Sequence, residues 1–252
     1  MARKMVVGRY TGADREGKRL AAFDLRIFSA GALRIGITNC VEAFSPGAAR
    51  AVDLRFATSL VMRAEVEAGT CAADILISPA PVQAAFAAAG HTVPGSAIRL
   101  GAIRAGVVVH RDAPDPDIAT AEALSRSLSA AERIVYNVAS SGQYIERMLD
   151  RLGLAAALAG KVERVATGAA VMETIAARPD IKTIGFGQST EIKRLAHLGI
   201  RMAGPLPGDL DELTRFDAAL RTGAAAPELA RTFVGFLAGT EAKALLRQTG
   251  IE

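Results

Sequence analysis

The order in which short apolar runs and helical patterns succeed one another constrains this chain most. From Ala22 onward, runs at 24–28, 52–56 and 74–77 read as strands, and each is followed by residues with helical spacing. Asp74-Ile75-Leu76-Ile77 is a short, nearly unbroken apolar run, as expected of a strand covered on both faces. Pro79 and Pro81 introduce the helix that follows it. The β-branched stretch 98–110 predicts one long strand, ended by the turn chemistry of Ala113-Pro114-Asp115-Pro116. Further strands are predicted at 133–136, 162–165, 182–186 and 199–202, with helices at 120–129, 141–152, 170–177 and 190–198. The tail from Pro227 to Thr249 reads as two amphipathic helices separated by Gly239.

Strands alternating with helices of about ten residues predict parallel sheets with helices on both faces. The expected fold is therefore α/β, with two doubly wound lobes. The turn near 113–116 and the stretch Gly204-Pro205-Leu206-Pro207-Gly208 mark the boundaries. Residues 21–110 and 204–252 form the first lobe, 111–203 an inserted second lobe, and 1–20 a loose arm without sustained periodicity.

Composition narrows the function classes. Half of the 252 residues are hydrophobic and 22% are charged, so a core can form, and disorder, collagen and coiled coil are excluded. No run approaches the roughly 18 apolar residues of a membrane span. The net charge is +4, the charges are dispersed, and with no Trp and three Tyr there is little on which nucleic-acid bases could stack. Cys40 and Cys71 lie in no ligand pattern, and His91, His110 and His197 are scattered, so neither metal nor cofactor is expected. The basic start Met1-Ala2-Arg3-Lys4 is followed only by Met5-Val6-Val7 before Gly8, short of the about 7–15 apolar residues of a secretory signal.

In open α/β sheets, ligands bind beyond the carboxyl ends of the strands, where helix N-termini present unpaired N–H groups. Hydroxyl or glycine residues stand at four such junctions: Phe28-Ser29-Ala30-Gly31, Ala57-Thr58-Ser59, Ala139-Ser140-Ser141-Gly142 and Gly187-Gln188-Ser189-Thr190. Hydroxyls donate hydrogen bonds without adding charge, which suits a small anion. Ser and Thr are also the ordinary residues of helix caps, so each junction alone has a purely structural explanation. It is their repetition after strands of both lobes that points to a ligand. No G-x-S-x-G elbow, Walker loop or dinucleotide fingerprint occurs, and Gly185-Phe186-Gly187 lacks the third glycine. Glu65 with Glu67, and Asp211 with Glu212, read as solvated faces, and Arg63 as a surface residue.

At these junctions the sequence resembles the molybdate-type periplasmic solute-binding proteins, a branch of the type II periplasmic binding protein fold. The resemblance runs from Leu25 to the C-terminus. It is clearest at Phe56-Ala57-Thr58-Ser59, then Glu67-Ala68-Gly69, then Ala73-Asp74-Ile75-Leu76-Ile77-Ser78. Phe28-Ser29-Ala30 matches the first anion-contacting turn, and Tyr136 to Gly142, leading into Leu149-Asp150-Arg151-Leu152-Gly153, matches the third. The resemblance implies two lobes around a ligand cleft, and a monomeric receptor that closes on a small anion and delivers it to an ABC permease. It implies a periplasmic location, against which the missing signal leaves a cytoplasmic anion sensor open. Carried over by position, the ligand-binding residues are Ser29, Ala30, Thr58, Ser59, Ser140, Ser141, Gly142, Val171 and Gln188, with Val171 contributing its main chain. Gln188 stands where molybdate binders usually have a tyrosine, and an amide has a different reach from a phenol. The ligand class is accordingly molybdate or tungstate, or an organic carboxylate. A few relatives of this fold isomerise small tricarboxylates such as aconitate, so an isomerase is the alternative.

Overall fold

The computed structural model describes residues 23–44, 51–179 and 182–252. The arm expected at 1–20 lies outside them. Contacts divide the chain into two compact units, one of residues up to Ala102 with Arg215–Glu252, the other Ile103–Thr214. The sequence expectation placed these crossings at 110/111 and 203/204. The first division instead falls inside a 13-residue strand, so turn chemistry marks the strand's end and not the change of unit.

In the first unit, β1 (Leu25–Ala30) pairs in parallel with β2 (Val52–Ala57) and with β3 (Ile75–Pro79). β9 (Leu213–Leu220) closes this sheet antiparallel to β3, giving the order β2-β1-β3-β9. One face carries Phe28 and Leu76, which pack with Met62 and Val66 of α2 (Ser59–Glu67) and Phe86 of α3 (Ala80–Ala88). The helix α1 (Arg34–Phe44) packs on β1 and against α9 (Pro227–Ala238) and α10 (Thr240–Gln248). Asp74 fastens these layers from within. Its fully buried carboxylate accepts the Arg26 N–H at 2.8 Å and those of Ala225 and Ala226 at 2.7 and 3.1 Å.

In the second unit the order is β4-β7-β5-β6, where β4 is Ile98–His110, β5 Arg133–Asn137, β6 Val162–Val165 and β7 Thr183–Gln188. β5 runs parallel to both β6 and β7, and β8 (Ile200–Pro205) lies antiparallel to β4. One face packs on α4 (Ala121–Ala130) and α5 (Ser140–Arg151), through Leu124, Leu128, Ile145 and Met148. The other packs on α7 (Gly168–Ala176) and α8 (Ser189–Leu195). Gly185 and Gly187 have a packing role here. A Cβ on either would collide with Ile175 or Met172 of α7, so their bareness lets that helix lie close on β7.

Two expectations need correction. Glu65 is no solvated face, since it forms a two-pronged ion pair with Arg55, which also lies over the Phe28 ring. Asp211 is likewise engaged, with Arg104, and only 16% of its side chain is exposed. Glu67 and Arg63 do form an exposed pair one helical turn apart. The strand β9 escaped the pattern because Arg215, Asp217 and the Ala218-Ala219 pair break its apolar alternation. The one-turn helix α6 (Ala155–Leu158) was also unforeseen.

Candidate functional site

Each unit gathers polar side chains where its parallel strands end. In the first, register pairs Ser29 with Phe56 and Ala30 with Ala57, so the carboxyl ends of β1 and β2 lie side by side. Ser29 is fully buried and donates to the Ala30 carbonyl at 3.2 Å. Thr58 is the N-cap of α2, its Oγ1 accepting the Val61 N–H at 3.4 Å, and Ser59 follows it, buried, in the first turn. Thr58 thus performs the structural task that Ser and Thr ordinarily have at such positions. The end of β3 adds a pair that the sequence did not single out. Ser78 Oγ donates to Gln83 Oε1 at 2.6 Å, both residues are buried, and Gln83 Nε2 has no partner among the described residues.

A cation also stands at this end. Arg34 begins α1, directly after the turn that follows β1, and its guanidinium lies over the Phe56 ring, 4.3 Å from the centroid. Stacking presents the planar fork of donors in a set orientation, which matches a carboxylate. The sequence signal was available, because Arg34 follows the Ser29 turn by one helical turn.

In the second unit, the junction after β5 is organised by Asn137. Its Oδ1 accepts the Ala139 N–H at 2.8 Å and its Nδ2 donates to Ser141 Oγ at 3.0 Å. Asx residues favour such local turns, so Asn137 was legible in principle. Ser140, Ser141 and Gly142 form the first turn of α5, and a Cβ on Gly142 would fall on the Asn137 carbonyl.

Val171 differs from its expected role. Its side chain is fully buried in the core, and its N–H already donates to the Thr167 carbonyl at 3.3 Å. The α7 terminus that precedes it is approached by the Glu191 carboxylate, against which any Cβ on Gly168 would collide. Gln188 ends β7, 4% exposed, and its Nε2 donates to Thr214 Oγ1 at 2.9 Å. The amide donors expected to face a ligand are therefore directed in part to the protein itself. Thr214 was unforeseeable, because it begins the strand that the pattern missed.

Two cavities lie at the opposite strand ends. One of about 480 Å³ is lined by Arg26, Asp53, Arg55, Glu65 and Cys71, near the starts of β1 and β2. Burial raises the Asp53 carboxyl above its ordinary range, with Arg26 and Arg55 opposing the shift. Another, of about 210 Å³, lies at the start of β7 beside Thr183. Neither contains a sequence-predicted ligand residue. Among the described residues no cluster of three or more His, Cys, Asp or Glu side chains could hold a metal ion.

Strand ends of this kind, on two α/β units linked by two chain crossings, define the type II periplasmic binding protein fold. The azotobacter (Azotobacter vinelandii) periplasmic molybdate-binding protein superposes with a TM-score of 0.75 at 17% identity, covering 90% of this chain and 98% of that one. The sulfate-binding protein SubI of Mycobacterium tuberculosis superposes with a TM-score of 0.71 at 15% identity, covering 90% and 85%. Residues 25–252 match the family model described as bacterial extracellular solute-binding protein, and the chain belongs to that family. A Pseudomonas protein named aconitate isomerase is 26% identical over 181 residues, which is 71% of this chain and 67% of its own length. The resemblance to molybdate-type solute-binding proteins thus holds at the level of family and fold.

Proposed function

We propose that this protein is a receptor for a small oxyanion or carboxylate. The observation that carries the reading is the gathering, where the parallel strands end, of hydroxyl and amide side chains with small residues that bare the main chain: Ser29, Ala30, Thr58 and Ser59 in one unit, Ser140, Ser141, Gly142 and Gln188 in the other. Ser78, Gln83 and Arg34 extend the first set. Such groups hold an anion by directed hydrogen bonds at a helix start. The working protein is a periplasmic monomer that hands its ligand to an ABC permease.

A thermal-shift panel of molybdate, tungstate, sulfate, phosphate, citrate and aconitate tests this. A ligand that binds only the folded state stabilises it by roughly 2.7 kcal/mol at a hundredfold excess over Kd. A flat response to all six compounds overturns the reading. Fractionation of cells expressing the native gene tests the location, and recovery from the cytoplasm alone favours an anion sensor.

The likeness to a protein named aconitate isomerase favours a second reading, isomerisation of a small tricarboxylate. That reaction needs a base near the substrate's acidic C–H. Deuterium incorporation into aconitate in heavy water, followed by NMR, supports it, and its absence under binding conditions excludes it.

A further inference from the structure

Gln188 and Glu191 occupy the same turn at the start of α8, and both present oxygen. Gln188 directs its N–H₂ group to Thr214 Oγ1, while its Oε1 is buried and has no hydrogen-bond partner among the described residues. Turning the amide over would leave both N–H donors without an acceptor, a worse state than one carbonyl with spare lone pairs. Three residues on, the Glu191 carboxylate lies against the Gly168 backbone and puts negative charge beside the α7 terminus. A fully ionised tetrahedral oxyanion offers neither oxygen a proton.

A buried acceptor left unsatisfied is disfavoured unless something supplies a donor. From the orphaned Gln188 carbonyl we infer that the ligand is a hydroxycarboxylate, whose hydroxyl donates to Gln188 Oε1. Its carboxylates take the donors of the α5 turn in the same unit, at Ser140 and Ser141, beside the end of the neighbouring strand β5. This rests on the anion-receptor reading and narrows it. Sites that hydrogen-bond a ligand hydroxyl discriminate strongly against the analogue lacking it, because the site's polar group is then left unpaired.

The test compares matched pairs by calorimetry: citrate with tricarballylate and malate with succinate, alongside molybdate and sulfate. The wild type binds at least one hydroxy acid ten times or more tightly than its deoxy analogue, and more tightly than either inorganic ion. Gln188→Met removes the orphaned carbonyl at similar volume. It brings that ratio within about threefold, whereas a merely structural Gln188 lowers the melting temperature and spares the ratio. Should this variant fail to fold, Thr214→Val frees the amide to turn and lowers the same ratio. Anion binding without preference for the hydroxyl, or preference unaltered by these variants, overturns this inference and leaves the receptor reading standing. Binding of no anion by the wild type overturns both.

Discussion

Gly142 and the main-chain carbonyl of Asn137 are packed so closely that a Cβ at position 142 would overlap the oxygen. The first turn of α5 can approach the end of β5 only because residue 142 has no side chain. Gly142→Ala gains about 1 kcal/mol of helix propensity against an overpacking penalty of about 3 kcal/mol. The expected result is a net loss of about 2 kcal/mol in urea unfolding. Because the Ser140 and Ser141 turn shifts with it, stabilisation by any anionic ligand also falls, which melting curves with and without ligand will register.

Asp74 gives a second prediction. Its two oxygens accept three backbone N–H groups, from Arg26 and from Ala225 and Ala226 just ahead of α9. Asp74→Ala leaves these donors unpaired and destabilises the protein by about 3 kcal/mol or more. Asp74→Asn keeps one carbonyl oxygen and falls between that variant and the wild type. Denaturant melts of the three proteins check the order.

These two residues show how far the sequence could be read. Asp74 was recognised as part of an Ala-Asp-hydrophobic pattern, yet its partners lie 48, 151 and 152 positions away, so nothing local revealed its task. The alternation of strands and helices was legible because each depends on spacing within a few residues. The cap Thr58 was legible for the same reason, bonding an N–H three residues on. Thr214 was not, because its bond to Gln188 spans 26 residues and belongs to a strand whose Arg and Asp obscure its pattern. The chemical types at the strand ends could thus be read, but not which end of an amide each would present.

Arg34 supplies a prediction for the charged part of the ligand. Its guanidinium rests on Phe56, and a lysine cannot reproduce the stacked, two-pronged geometry. Arg34→Lys therefore weakens carboxylate binding about tenfold, since the bidentate contact is worth roughly 1.4 kcal/mol. Inorganic oxyanions lose less, because a point charge serves them nearly as well. Calorimetric affinities for citrate and sulfate in the two proteins check this. Equal losses for both ions refute a carboxylate-specific role.

Alkaline unfolding reports on the buried thiols. Burial, with the Glu241 charge adding to it, pushes the Cys40 thiol up to about 12 from 9.0. An unfolded chain releases this proton above pH 9.0, while the folded chain keeps it until about pH 12. Between these values the unfolded state holds fewer protons, so stability falls as pH rises, by up to about 1.4 kcal/mol per pH unit for this group. Below pH 9 the group contributes no slope. Cys71, Tyr136 and Tyr144 are shifted upward by burial too and add to the same trend. Cys40→Ala should therefore show a shallower decline than the wild type over that interval, whatever its stability at pH 7. Urea midpoints at pH 7, 9 and 10.5 measure the two slopes. Parallel curves would mean that Cys40 titrates alike in both states, which its complete exclusion from solvent opposes.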